Sequence, residues 1–337
     1  MKNGTNKDKG RVTMADVARA VGVSHMTVSR VLRDPVRVQP GTRQRVEEAI
    51  RRIGYVPDLV ASALVTKRTN IIAMILPTVS TSIFTDAIKG ASDVAREAGL
   101  QIIVAESGYS LEREEQIVAS LLGHKPMGMM IVGVTHTART IEMLDQSGVP
   151  VVETWDQAPD PIDSIVGFSN HDAGRAMTDA LIELGYRDIV FVGAGLDEAR
   201  SRKRYAGYQE AMRAAGLAIP PSSTLTEWVS VRSGVAFARQ LVEASSLPQA
   251  LFFLNDAVAT GALLEFLRLG IRVPEEVAVA GFGGFDYSEF LVPSLTTVEI
   301  ERYAIGASGA RIIIERAQGA PAIIKNVGFK VMLREST

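Results

Sequence analysis

Little in this chain of 337 residues could carry out covalent chemistry. It has no cysteine, so thiolate nucleophiles, thiolate metal sites and disulfides are excluded. The four histidines, His25, His124, His136 and His171, fall at no metal-ligand spacing. Neither a Walker A run nor a G-x-S-x-G elbow occurs, and GAGLDEA lacks the later glycine of a dinucleotide loop. No catalytic or metal residue and no cofactor is expected. The chemistry available is recognition, in two places. In VTMADVARAVGVSHMTVSRVL, residues 12–32, a cluster of Ser24, His25, Met26, Thr27, Ser29 and Arg30 forms a polar, basic front. Arginine can hold guanine O6/N7 bidentately and methionine can meet a thymine methyl, which gives base reading to His25, Met26 and Arg30. Thr13, Ser24, Thr27, Ser29 and a capped helix start suit phosphates.

The second place is spread along the chain, just after apolar runs that read as strands. Thr78, Ser80 and Phe84 follow IIAMIL, His136 follows GMMIV, and Glu153, Trp155 and Asp156 stand in or beside VVET. Further on come Arg200 to Arg204, Trp228, Asn255, Asp256 and the turn GFGGFD. Ligands of parallel sheets sit beyond the carboxyl ends of the strands. Hydroxyls, amides, arginine, histidine and an aromatic face there suit a polyhydroxylated ligand. Plainer readings stand beside this one: Asn255-Asp256 can cap the following helix, Trp228 can be core, residues 202–204 can be a solvated face, and His136 can be a loop histidine.

The elements that must position the first cluster are short helices. Residues 14–20 and 24–32 read as two helices joined at Gly22, with Thr13 and Asp16 arranged like a capping box and Ser24 as the second cap. Val17, Val21, Val23, Val28 and Val31 give an apolar inner side. After Asp34-Pro35, residues 42–53 form a third helix whose Val46, Ala49, Ile50 and Ile53 face inward. This is an all-α three-helix helix-turn-helix headpiece, in which the second helix enters the major groove. A mere helical hairpin packed on the rest of the chain is disfavoured by charge. Residues 1–70 hold 14 Lys+Arg against 6 Asp+Glu, and the remainder 22 against 32. A basic head on an acidic body meets a polyanion with its head alone.

The second set needs an α/β scaffold. From Thr69 onward, near-continuous apolar strands at 71–76, 101–105, 128–132 and 149–154 alternate with amphipathic helices. A second series has strands at 164–168, 188–193, 225–228, 250–254 and 277–282, followed by a helix at 302–317 and further strands within 295–333. The pattern predicts two doubly wound parallel-sheet subdomains with a cleft between them. The polar start lacks a secretory signal and no apolar run spans a bilayer, so a cytoplasmic chain without membrane partners is expected.

The run D-V-A-x-x-x-G-V-S-x-x-T-V-S-R-V-L, Asp16 to Leu32, resembles the helix-turn-helix of the lactose-repressor (LacI/GalR) family, and the similarity continues from about Arg11 through the chain. Several stretches, VGVSHMTVSR, THTARTIEML, VGFSN and GAGLDEAR, resemble its gluconate-operon repressor branch. The resemblance implies an operator-binding homodimer reading a pseudopalindrome. It implies a disordered tail at 1–10, a DNA-binding domain at 11–57, and a hinge helix and linker at 58–69 whose Leu64 wedges a central base step in the minor groove. It also implies a periplasmic-binding-protein-like core at 70–337, with an N-subdomain of 70–168 and 300–328 and a C-subdomain of 169–299 and 329–337.

In R-x-x-G-Y/W, Arg204 to Tyr208, the resemblance makes Arg204 the effector-contacting arginine. N-D-x-x-A makes Asn255 an effector contact, and Trp228 the stacking aromatic. Where many sugar repressors carry an aspartate after the glycine and aromatic of a turn, this chain has Gly283. A missing carboxylate suits an anionic ligand, so gluconate or a related sugar acid is the expected effector and its release of DNA the expected control. A neutral sugar or a corepressor mechanism is the alternative, and a transport-associated binding protein or an enzyme a remote one.

Overall fold

The computed structural model of the chain describes residues 12–56, 69–80, 82–193, 198–221, 223–225 and 229–337. It divides between Lys67 and Arg68 into two compact units. The predicted tail lies outside the described residues, as does the predicted hinge helix with Leu64, apart from Thr69.

The first unit contains α1 (Met14–Val21), α2 (His25–Arg33) and α3 (Pro40–Ile53). Asp16 reaches back to accept from Thr13 N at 2.9 Å and Thr13 Oγ1 at 2.7 Å, which satisfies donors at the start of α1. Gly22 ends α1 at φ 72°, a left-handed conformation that a side chain resists. Ser24 Oγ then accepts from Thr27 N at 3.1 Å and starts α2. Helix α3 begins two residues earlier than the sequence pattern suggested, at Pro40, because a proline at a helix's first position has no N–H to leave unpaired. Val17, Val28, Val31, Val46 and Ala49 are buried together, and Tyr55 beyond α3 closes the cluster. The core is small, so local caps matter. Ser24→Ala is expected to cost the head about 1 kcal/mol, measured as earlier thermal loss of its helical circular dichroism; an unshifted melt would mean that α2 does not depend on this cap.

The second unit opens with β1 (Ile71–Leu76), α4 (Thr85–Glu97), β2 (Gln101–Glu106), α5 (Leu111–Gly123), β3 (Gly128–Val132), α6 (Ala138–Ser147), β4 (Val151–Thr154) and β5 (Ser164–Gly167). It continues through α7 (Asn170–Glu183), β6 (Ile189–Gly193), α8 (Ala199–Ala214), β7 (Ser223–Thr224), α9 (Val231–Glu243), β8 (Ala250–Phe253), α10 (Asp256–Leu269) and β9 (Ala278–Ala280). The chain then forms β10 (Thr297–Ile300), α11 (Arg302–Ala317), β11 (Ile324–Asn326) and β12 (Phe329–Met332).

Two parallel sheets result, ordered β11-β5-β4-β3-β1-β2 and β7-β6-β8-β9. Strand β1 is covered on both faces: Ile72, Met74 and Leu76 join one apolar cluster, Ala73 and Ile75 another. That is why its sequence is apolar without alternation. Between the sheets the chain is threaded rather than simply joined. β11 returns to the edge of the first sheet, β12 pairs antiparallel with β10, and Ser336 exchanges hydrogen bonds with Val279 of β9 in the second. Of the short strand expected at 225–228, residues 226–228 lie outside the described residues; beside β6 the described pairing is made by Ser223 and Thr224, and Leu225 N donates to Gly193 O.

The covering helices pack very closely. A β-carbon on Gly306 of α11 would fall on the Ala87 carbonyl of α4, and one on Gly90 of α4 would meet the Tyr303 carbonyl. The same reciprocal arrangement joins α7 and α8 through Gly174 and Gly207. Gly207 belongs to the R-x-x-G-Y run, so this close crossing also fixes where Arg204 emerges.

Candidate DNA-reading helix and effector cleft

In the head, burial of Val28 and Val31 turns the opposite side of α2 outward. His25, Met26 and Arg30 are exposed there, Met26 at 71%, while Thr27 and Ser29 are half-buried. Such exposure of an unbranched apolar side chain has no use within the head itself and suits a groove floor. Ser24 and Thr27 share a hydroxyl contact of 2.9 Å at the helix start, and Thr13 is exposed at the start of α1. Arg43 is paired to Glu47 at 2.7 Å, but Arg30, Arg45, Arg51 and Arg52 form no ion pair among the described residues. These cations remain available to phosphates.

In the second unit a cavity lies beyond the carboxyl ends of β1, β2, β3 and β4. Its wall includes Pro77, Ser107, Tyr109, Glu114, Thr135, Asp156, Glu198 and Arg200. The first sheet's loops supply one side and the start of α8 supplies the other. The sequence-predicted residues stand next to this wall more often than in it. Thr78 is buried and shares a hydroxyl contact with exposed Ser80 at 2.7 Å. Phe84 is buried edge-on against Trp155, with ring centroids 4.9 Å apart. Trp155 holds φ 69° at the end of β4, a costly conformation for a bulky residue and one that places its ring against Phe84. Trp228 lies outside the described residues.

Arg204 is almost fully engaged from within. Its Nε donates to Asn170 Oδ1 at 2.9 Å, its Nη1 donates to Leu254 O at 2.7 Å, and its guanidinium stacks 4.0 Å from the Phe282 ring centre. Burial, only partly offset by Glu198, brings its pKa down to about 10. Asn170 in turn donates to Trp155 O and to Asp156 Oδ1, and Lys203 donates to Asp156 Oδ2 at 2.6 Å. Arg204 thus braces the structure that carries Asp156. One helical turn earlier, Arg200 forms part of the cavity wall. Among the described residues its bonded partner is Glu198, reached through Nε at 2.6 Å, which leaves the terminal nitrogens for a ligand. Burial alone would raise the Glu198 carboxyl, but Arg200, Arg204 and the N–H of Ser201 take it down to about 2. It is an anion capping α8.

Asn255 caps α10 by accepting from Val258 N at 3.0 Å, and its Nδ2 has no partner among the described residues. Asp256 is fully buried. It accepts from Phe285 N at 2.7 Å, Ser288 Oγ at 2.9 Å and Thr297 Oγ1 at 2.6 Å, and so fastens the GFGGFD turn to β10. Burial pushes its carboxyl up against those bonds. His136 has no face on the cavity either. Its side chain is 1% exposed and sits between Glu114 and Glu153. Asp156 lies in the wall as its place beside VVET suggests, whereas Glu114, Glu198 and Tyr109 have no sequence spacing that singles them out.

Among the described residues no group of three or more histidine, aspartate or glutamate side chains is placed to hold a metal ion, and no helix among them is long and apolar enough to cross a membrane. Residues 13–58 match the model of bacterial regulatory proteins of the lacI family, and residues 178–337 match a periplasmic binding protein-like domain. The HTH-type transcriptional regulator GntR of Escherichia coli K12 is 36% identical over 323 residues, covering 95% of this chain and 97% of that protein. Its namesake in Pseudomonas aeruginosa is 34% identical, covering 100% and 99%. A solved LacI-family transcriptional regulator from Silicibacter pomeroyi superposes with a TM-score of 0.89 at 34% identity, covering 96% of this chain and 99% of that one. A helix-turn-helix with an exposed polar face, a cavity beyond the strand ends of an α/β core and these relatives agree: the chain belongs to the lacI family of bacterial regulatory proteins, as a DNA-binding transcriptional repressor.

Proposed function

We propose that this protein represses sugar-acid (gluconate-type) catabolic genes, binding a pseudopalindromic operator as a homodimer and leaving it when a small sugar acid enters the cleft. The observation that carries the effector class is Arg200, a guanidinium in the cavity wall whose terminal nitrogens form no hydrogen bond among the described residues, with carboxylates in the same wall to take hydroxyls. The turn where sugar repressors resembling this chain carry an aspartate has Gly283, at φ 122° against Phe285 and Ile83, so no carboxylate opposes an anion from there. On the DNA side, His25, Met26 and Arg30 read bases, while Thr13, Ser24, Thr27 and Ser29 hold the backbone. Leu64 is assigned to the minor groove on the family resemblance. Exposed apolar side chains along the edge strand β2, Ile103 and Val104, and Leu267 on α10 favour a partner subunit. Arg204, Asn255, Thr78, Ser80 and Phe84 frame the cleft, and Trp228 is proposed to stack on the ligand.

The carboxylates of the wall, Glu114, Asp156 and Glu198, also fit a neutral polyol, which keeps a neutral-sugar effector as the second reading. Fluorescence anisotropy on a palindromic operator at fixed salt separates the two. Gluconate is expected to release the wild type and glucose is not; the reverse result would transfer the role to a neutral sugar. Arg200→Met is expected to raise the gluconate needed by about 10- to 100-fold, the loss of one charge-assisted contact. Unchanged sensitivity in that variant would remove Arg200 from the site.

A further inference from the structure

Three ionisable side chains meet behind the cavity floor. His136 Nδ1 lies 2.6 Å from Glu114 Oε1, and Nε2 lies 3.3 Å from Glu153 Oε1, an ion-pair distance without an aligned hydrogen bond. The other oxygen of Glu153 accepts from Ile162 N at 2.7 Å, which anchors that carboxylate to the loop before β5. Burial disfavours a charged imidazole, but the two carboxylates outweigh it and raise the His136 pKa to about 9. The ring is therefore an imidazolium at neutral pH. Fastening α5 to the start of α6 does not require it, because Thr137 Oγ1 already donates to Glu115 Oε2 at 2.5 Å beside it.

What the pair does achieve is to hold Glu114 in a set position. Glu114 is 5% exposed, yet it belongs to the cavity wall. Its Oε1 takes the imidazolium, and its Oε2 has no hydrogen-bond partner among the described residues. A nearly buried carboxylate in a cavity wall, with one oxygen paired to the ring and the other without a hydrogen bond among the described residues, is a built acceptor. We infer that Glu114 accepts a hydroxyl of the bound effector, with His136 as its positioning residue and Glu153 holding the ring. This rests on the reading that the cavity takes the effector. The charges facing the assembly are Glu114 from α5, Glu153 from β4, and Asp156, Glu198 and Arg200 around the cavity, with Lys203 on Asp156. Glu114 and Arg200 come from the two sides of the cleft. A ligand with a carboxylate at Arg200 and hydroxyls at Glu114 satisfies both. A second negative charge would lie against Glu114, so the effector class narrows to monoanionic polyhydroxy acids, excluding diacids and phosphate esters.

Isothermal titration of the full-length protein with gluconate and with the diacid glucarate tests this. The wild type is expected to prefer gluconate. Glu114→Gln is expected to weaken gluconate by about tenfold and to narrow or reverse that preference, because an amide no longer repels the second carboxylate. A packing defect would weaken both ligands alike and leave the ratio unchanged, which overturns the assignment. The second arm is the pH profile. Gluconate affinity of the wild type is expected to hold from pH 7 to 8 and to fall as pH passes about 9 and the ring loses its proton. His136→Asn is expected to lack that fall; a profile identical to the wild type overturns the positioning role even if Glu114→Gln fails to fold. Should the wild type take glucose and ignore gluconate, the sugar-acid reading falls, while Glu114→Gln titrated with glucose still decides whether Glu114 receives a hydroxyl.

Discussion

Asp256→Ala is expected to destabilise the core by about 3–5 kcal/mol, because it leaves three buried donors without an acceptor. Phe285 N, Ser288 Oγ and Thr297 Oγ1 converge on this one carboxylate, which no solvent reaches. Alanine can supply neither the acceptors nor the volume. In a domain of this size such a loss lowers the melting temperature by about 10 °C. Asp256→Asn keeps one acceptor oxygen and is expected to fall between the two. Scanning calorimetry on the three proteins checks the order. An alanine variant that melts with the wild type but no longer responds to effector would return Asp256 to the ligand site.

The second large effect comes from removing no group at all. Gly306→Ala adds a single methyl and is expected to cost about 3 kcal/mol, since the new β-carbon would fall on the Ala87 carbonyl of a neighbouring helix backbone. Backbone cannot rotate away as a side chain can, so α4 and α11 must separate along their contact. Gly123→Ala provides the opposite sign. It lies in the last turn of α5 with nothing near its would-be β-carbon, and alanine there is expected to stabilise by about 0.5 kcal/mol. Urea denaturation of the two variants measures both. Similar values for the pair would mean that the helices adjust their spacing at little cost.

The sequence carried the elements well and the site less well, for one physical reason. Strand β1 is apolar throughout because both faces are covered, and α2 is polar on one side because one side is free; each fact is written in neighbouring residues. Which end of a strand a residue follows is equally local, and residues of the loops after β1 and β3, Pro77 and Thr135 among them, line the cavity. Whether a side chain there turns toward ligand depends on partners far along the chain. His136 meets carboxylates 22 and 17 residues away, and Asp256 meets groups 29 to 41 residues away. No spacing rule joins them. The family pattern drew attention to Arg204, but the bonds to Asn170 and Leu254 that hold it, and the place of Arg200 in the cavity wall one turn earlier, emerge only from the fold.

The threading of the chain between the two sheets bears on how the protein is made. Residues 324–326 complete the edge of the first sheet, and Ser336 closes onto β9 of the second. Synthesis runs from the head toward these residues, so the reading head and most of both sheets leave the ribosome before the segments that finish either one. The head's own small core needs none of them. A nascent chain therefore carries the head with its own small core complete while both sheets of the second unit still await their closing segments, and the order of translation sets the helix-turn-helix ahead of the unit that finishes last.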